Sequence, residues 1–475
     1  MMSEVTDQCG NQVCAGKTVR TDGLLPPPVG TSDWARFSRT SYCVDKTLIL
    51  KDLIDAESTV VLFTRPRRFG KTTALEMIRA FYEGEASLFQ DKKIWAAGAK
   101  YQNEQGTHPV IFLSFKDVKW KTFGESIKFL NALLAPCVGK FAKAVEALEL
   151  ETERDRLLRV MREQGDETDL SLSLGLLSKA IHAYTKKLPV ILIDEYDQPI
   201  TSASTHGYYD EMCTFMRVFL SGALKDNKHC HIGIMTGVLR VAKEGILSGL
   251  NNPEVWTVFE QKYSQYFGFT EDEVSEMARY YGAEDKMPEI KSWYDGYDFG
   301  GTEIYNPWSV LRYFQCNCKP DAYWLDTSSN DLIAAIVRDL PHDMVRTLEA
   351  LLRDETPRVQ MAKELGPYKD VMANKSSLYA LLVLAGYLKI ASPIEEGMCK
   401  VALPNHELSL AFVNNIIAAD SATDDLKALA RDARSQIDGK KYDATFRAEG
   451  ITDIEKIGLA YFKDKVELCK EVCNG

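Results

Sequence analysis

No apolar run in this chain approaches the ~20 residues that span a bilayer, so the sequence offers no transmembrane helix. The N-terminus also lacks the basic stretch and apolar core of a secretory signal; residues 1–34 are polar, with Pro26-Pro27-Pro28, and read as a flexible leader. Without a signal, the 11 cysteines read as reduced thiols of an intracellular protein, cytoplasmic or nuclear. They lack the paired C-x₂-C spacing of a structural zinc site. The tightest metal-type clusters, His229-Cys230-His231 and Cys316-Asn317-Cys318, lack it too, and Cys230 and His231 read as part of a buried strand. A basic excess is missing as well. With 57 Lys and Arg against 68 Asp and Glu, the net charge is −11. That argues against a chain built globally to coat nucleic acid, while leaving room for a local basic groove. What remains is ordinary globular material, 45% hydrophobic and 26% charged, in 475 residues that suffice for two or three domains.

One further absence lies in the stretch that organises the chain. Val60-Val61-Leu62-Phe63 reads as a buried parallel strand, and residues 73–81 carry apolar side chains at helical spacing. Between them stands Gly70-Lys71-Thr72. Strand, Gly-Lys-Thr turn and helix form the arrangement that holds nucleotide phosphates on backbone N–H groups and a helix dipole. The full pattern, G-x-x-x-x-G-K-[ST], is broken at its first glycine, where Arg65 stands, followed by Pro66. Arg65 cannot take a positive φ cheaply, so the loop must begin differently from the standard one. In the phosphate-binding reading Gly70 allows close approach, Lys71 places a charge beside the β- and γ-phosphates, and Thr72 ligates Mg²⁺. Thr73 adds a hydroxyl near the α-phosphate. Arg67 and Arg68 flank the site with Phe69, either acting on the γ-phosphate or a neighbouring subunit, or positioning the loop by ion pairs. The bland alternative is a basic surface turn.

A second strand answers the first. Residues 188–195, LPVILIDE, form an apolar run ending in two carboxylates. Asp194 fits the outer shell of Mg²⁺, through water or Thr72, and Glu195 fits a general base for the attacking water.

At this point the chain resembles the AAA-ATPase-like P-loop proteins that typically carry a C-terminal PD-(D/E)XK nuclease-like domain. The matching stretches are Tyr42-Cys43-Val44-Asp45-Lys46-Thr47, Arg65 to Thr72, Ile193-Asp194-Glu195-Tyr196-Asp197, Thr236-Gly237-Val238 and Ser248-Gly249-Leu250-Asn251-Asn252. Trp293-Tyr294-Asp295-Gly296-Tyr297 and Tyr305-Asn306-Pro307-Trp308-Ser309 follow. The resemblance makes the missing glycine a family trait, and it implies ATP rather than GTP. It also implies that Thr236, at the end of the next strand, faces the γ-phosphate; a simple strand-end turn with Gly237 is the alternative. Arg240 and Lys243 either neutralise transition-state charge or are surface charges. Asp45-Lys46-Thr47 either touches the base, orders the loop or caps a helix.

The expected fold is α/β: a P-loop domain over residues 35–270 with a parallel sheet covered by helices. Its strands are expected near 60–63, 109–115, 190–194 and 230–236, and its helices near 48–54, 129–148, 152–162 and 170–186. Residues 271–407 read as mostly helical, with an aromatic turn at 295–301. The helix at 376–385 followed by a hairpin is compatible with a winged-helix module. From 408 onward the resemblance implies a nuclease domain, but its Asp and Asp/Glu-x-Lys strands are not found. Asp424-Asp425-Leu426-Lys427 lies in a helical, polar context, and Glu467-Leu468-Cys469-Lys470 has the wrong spacing. Residues 436–446 and 457–462 resemble that domain's late helix and strand, so residues 408–475 read as a degenerate or internally deleted remnant; a skipped gene segment would leave the same sequence. The expectation is an ATP- and Mg²⁺-dependent protein coupling nucleotide state to a conformational change. The alternative is a nucleotide-binding switch that turns over little and recognises protein or nucleic acid. A membrane partner is not expected, and an oligomer is compatible with either reading.

Overall fold

The computed structural model describes residues 5–6, 12–13, 23–239, 253–324, 342–362, 374–410, 412, 454–462 and 465–473. Arg240, Lys243, the 248–252 stretch and the expected remnant features at 424–427 and 436–446 lie outside them.

Five parallel strands form the central sheet. They are β1 (Val60–Thr64), β2 (Val110–Ser114), β3 (Val190–Asp194), β4 (Gly233–Gly237) and β5 (Glu254–Trp256), in the spatial order β2-β3-β4-β1-β5. Because side chains alternate along a strand, a sheet buried on both faces needs continuous apolar runs. β1 shows why: Val60 and Leu62 point into one core and Val61 and Phe63 into the other. The first core is closed by the helices Phe123–Gly139, Glu151–Met161, Glu167–Thr185 and Tyr209–Leu224. The second is closed by α1 (Trp34–Thr40), α2 (Leu48–Ala56) and α3 (Lys71–Glu83). Helix α3 buries Leu75, Met77, Ile78 and Phe81 there, each contributing about 1.5–3 kcal/mol.

Several elements differ from the sequence expectation. The helix expected from 129 begins at Phe123, because Thr122 caps it by accepting from the Glu125 backbone N–H. It ends at Gly139, and a separate helix follows at Ala142–Glu146. The strand expected over 230–236 is Gly233–Gly237, so Cys230 and His231 precede it. The aromatic turn at 295–301 is a β-hairpin, Tyr297–Phe299 paired with Thr302–Ile304.

Beyond the sheet, Asn306 caps the helix Pro307–Gln315, with Pro307 in its first turn. The helix Lys375–Leu384 leads into the expected antiparallel pair Lys389–Ile390 and Met398–Ala402. A third strand, Arg358–Gln360, pairs with Met398–Ala402 on its other side. This unit shares one apolar core with Phe69 and Leu239 of the sheet's edge. The expected late strand at 457–462 lies within Ile454–Phe462, antiparallel to Lys465–Cys473. Among the described residues no helix is long and apolar enough to cross a membrane.

Candidate nucleotide site

The site lies at the carboxyl edge of the sheet, where open α/β sheets bind ligands. β4 stands between β1 and β3, so Thr236 falls between the loop that follows β1 and the acidic end of β3.

The loop solves its missing glycine by anchoring rather than turning at that position. The fully buried Arg65 guanidinium enters the protein, where its Nη1 donates to the carbonyls of Thr64 and Trp256, each at 2.9 Å. It lies 5.2 Å from the ring centres of both Phe267 and Phe299. Its Nε and Nη2 find no hydrogen-bond partner among the described residues, and burial pushes its pKa down to about 9. The left-handed backbone that a first glycine would supply appears three residues later, at Arg68, with φ +69°. Gly70 has φ +82° and stands just before α3. A Cβ there would meet nothing within 4 Å, so backbone conformation rather than crowding calls for glycine.

Lys71 opens α3 and is buried. Its ammonium donates to the carbonyls of Arg65 and Pro66, both at 2.9 Å, folding over the loop's own backbone. Burial lowers its pKa, opposed by Glu195 and Asp194. Thr72 Oγ1 donates to Asp194 Oδ2 at 2.7 Å, and Thr236 Oγ1 donates to Asp194 Oδ1 at 2.6 Å. Asp194 is thus held by a hydroxyl on each oxygen, with Thr236 wholly buried beneath it. The Thr236 hydroxyl is committed to Asp194. Glu195 follows with φ +52°, an uncommon conformation for a non-glycine residue. Its carboxyl pKa is raised, chiefly by burial, against the lowering effect of Lys71.

The remaining candidates spread outward. Phe69 is buried, 4.8 Å from Tyr297 and 5.3 Å from Phe299 between ring centres. Arg67 and Arg68 are exposed, and Arg68 lies 4.4 Å over the Trp308 ring. Thr73 lines a cavity of about 110 Å³ beside Gly70, walled by Trp34, Phe37, Tyr42 and Phe269. Lys46 reaches the rim of that cavity but is held by Glu273 and the Gln265 carbonyl. Asp45 accepts from Thr47 and from the Lys93 backbone N–H, so this trio orders local structure.

Sequence reading assigned no role to Tyr196 and Asp197. Asp197 Oδ2 accepts the backbone N–H groups of Val238 and Leu239, and the Tyr196 hydroxyl donates to the Leu239 carbonyl. Together they clamp the chain leaving β4. A Cβ on Gly237 would stand 2.7 Å from both Asp197 and Tyr196, which requires glycine there. The signal available was their place in Ile193-Asp194-Glu195-Tyr196-Asp197, immediately after the acidic strand.

Strand, loop, helix and acidic strand end converge as in a nucleotide-binding α/β domain. Residues 28–247 match the model of the AAA-ATPase-like family, described as "Predicted AAA-ATPase". The likeness read from the motifs is shown over this segment, and the family suggests nucleotide binding. An uncharacterized protein in the vnfD 5' region of Azotobacter chroococcum mcd 1 is 28% identical over 370 residues. That alignment covers 76% of this chain and 64% of the relative, so the chain spans less than two thirds of the relative's length.

Proposed function

We propose that the AAA-ATPase-like segment binds ATP with Mg²⁺ and hydrolyses it, and that the loop's seat against the C-terminal unit couples nucleotide state to a conformational change. The carrying observation is the Thr72–Asp194–Thr236 chain beside Lys71 and Glu195 at the carboxyl edge of the sheet.

The donor set fits the cation. Thr72 would ligate Mg²⁺ directly and Asp194 through water, and the ion would supply charge neutralisation at the phosphates. Lys71 exchanges the carbonyls of Arg65 and Pro66 for the β- and γ-phosphates. The backbone N–H groups at the start of α3 receive the phosphate oxygens. Arg67 and Arg68 add positive charge at the rim. The aromatic cavity beside Gly70 and Thr73 takes the base, and the resemblance favours adenine. Glu195 accepts the proton of the attacking water, its raised pKa bringing it nearer the value that suits a general base. Thr236 acts through Asp194, holding the carboxylate in place by its hydrogen bond to Oδ1.

Coupling rests on the contacts around the loop. Phe69 packs on the 297–304 hairpin, and Pro66 lies against Gly386 at the end of the Lys375–Leu384 helix. A loop that rearranges on losing Lys71 from its carbonyls must press on both. The helix and hairpin at 375–402 then serve as a winged-helix-like lid. The hairpin at 454–473 remains the candidate remnant of a nuclease-like domain, with no nuclease chemistry assigned to it.

The test is steady-state ATP hydrolysis with Mg²⁺ by the wild type, Lys71→Ala and Glu195→Gln, with ATP binding measured on all three. Turnover lost in both, with binding kept in Glu195→Gln, supports an ATPase. Binding without turnover in the wild type favours the switch. Neither binding nor turnover in the wild type sinks the nucleotide site.

A further inference from the structure

The second candidate centre lies at the opposite edge of the sheet from the nucleotide site. His108 precedes β2, Leu188 precedes β3 and His231 precedes β4, so the amino ends of three adjacent strands meet there. Glu104, His108 and His231 each bring one ligand-type atom to this place, all within 4.8 Å of one another.

The hydrogen-bonding state of His108 is fixed by its surroundings. Its Nδ1 is 2.7 Å from the Leu188 carbonyl oxygen. A carbonyl only accepts, so Nδ1 carries the hydrogen. In the neutral ring Nε2 then bears a lone pair, and it faces the Glu104 carboxylate at 3.6 Å. Two acceptors facing each other repel unless a cation, either a proton on Nε2 or a metal ion, stands between them. At 3.6 Å the pair is too long for a hydrogen bond. Two ligands on one tetrahedral ion with bonds of about 2.0–2.1 Å stand roughly 3.3 Å apart, close to what is found. An imidazole that donates Nδ1–H to a carbonyl and turns Nε2 outward is also how metal-binding histidines are oriented.

His231 supplies the third donor. Its ring stacks on His108, with centres 3.8 Å apart and planes at 14°, while Tyr82 meets both rings edge-on. Two parallel rings cannot both aim in-plane lone pairs at one ion, so ligation turns His231 off the stack. Its partly exposed position leaves room for that.

We propose that Glu104, His108 and His231 form a binding site for a zinc-class divalent transition metal, with water completing the shell. Two imidazoles and a carboxylate select such an ion over Mg²⁺, which prefers oxygen. The site joins the strands at the edge remote from the nucleotide, so it is structural or regulatory rather than part of ATP chemistry. Local spacing hid it, because residues 104–108 and 231 are far apart in the chain.

The test uses the full chain, stripped with chelator and free of nucleotide and Mg²⁺, titrated with Co²⁺ as a spectroscopic probe and then Zn²⁺. The expected result is one Co²⁺ per chain with a visible d–d spectrum and no thiolate charge-transfer band, displaced by Zn²⁺. His231→Gln and Glu104→Gln should each weaken it at least about tenfold, with circular dichroism and ATP affinity unchanged. Both side chains are partly exposed, so both variants should fold. Unchanged affinity in the two variants, a thiolate band, or no binding at millimolar Co²⁺ overturns the proposal.

Discussion

Asp194 is held by two hydroxyls with different fates, and a single valine separates them. Thr236 donates to Oδ1 from full burial, whereas Thr72 donates to Oδ2 from a partly exposed position. On the proposed Mg²⁺ reading Thr72 is the hydroxyl that would leave Asp194 for the cation, and Thr236 the one that would stay. Thr236→Val preserves shape but deletes the donor, leaving a buried carboxylate oxygen unsatisfied. Such a loss costs about 1–3 kcal/mol. A domain of roughly 150–250 residues loses about 2–4 °C in Tm per kcal/mol, so thermal unfolding without nucleotide or Mg²⁺ should fall by several degrees. Thr72→Val in the same assay should cost less stability than Thr236→Val, since Thr72 is partly exposed whereas Thr236 is wholly buried, while Mg²⁺-dependent ATP binding collapses. A Thr236→Val variant with wild-type Tm but no turnover would refute the reasoning, because its hydroxyl would then act on phosphate or water and not on Asp194.

Other outcomes follow from single contacts. Gly386 has φ +84°, and a Cβ there would stand 2.8 Å from Pro66 Cβ; Gly386→Ala should cost at least about 1–2 kcal/mol by the left-handed backbone alone and also weaken ATP binding, read by urea unfolding and ATP titration, whereas wild-type affinity in a destabilised variant would uncouple loop and C-terminal unit. Glu195 carries a pKa raised mainly by burial, and its ionised form is the proposed base, so the acidic limb of kcat against pH should lie above the ordinary glutamate range; a limb within that range removes Glu195 from the role. Burial first, then Glu303, pushes Asp295 up to about 7 from its ordinary 3.8. The folded state therefore holds a proton the unfolded chain releases, and stability falls as pH rises between those two values. Asp295→Asn should flatten the loss of Tm across this window, and an unchanged slope would assign the proton elsewhere.

Legibility followed the range over which the deciding force acts. β1 and β3 were readable because strands buried on both faces must be continuously apolar, and no neighbour need be known to see it. Lys71, Thr72, Asp194 and Glu195 could be picked out as candidates because the patterns of a phosphate loop and an acidic strand end lie in a few consecutive residues, and the structure brings the four together at one edge of the sheet. Helix starts were readable only through caps: the Thr122–Glu125 pair was there, but the apolar spacing at 129 drew the boundary inward. The hairpin at 297–304 was hidden in a run of aromatic and glycine residues that reads as a turn until its partners are known. The Arg65 anchor, the Tyr196–Asp197 clamp and the Glu104–His108–His231 cluster were not legible, since each is defined by residues that only the fold brings together.

Arg65 shows how far that distinction reaches. By sequence it is a loss: the glycine that ordinarily turns the phosphate loop is gone. A glycine loop would owe its shape to its own backbone. This loop owes its shape to things outside it: Arg65 is tied to the Trp256 carbonyl and wedged by Phe267 and Phe299, Pro66 abuts Gly386, and Phe69 is seated on Tyr297 and Phe299. The loop cannot change shape without disturbing the hairpin and helix that hold it, and they cannot move without reshaping the loop. If the loop binds nucleotide as proposed, linkage makes that relation reciprocal: whatever engages the C-terminal unit would alter nucleotide affinity by the factor with which nucleotide alters that engagement. A buried arginine in the glycine's place carries an energetic burden, two guanidinium nitrogens without a hydrogen-bond partner among the described residues, but on the proposed reading it makes a self-contained phosphate loop into one that reports to the rest of the chain.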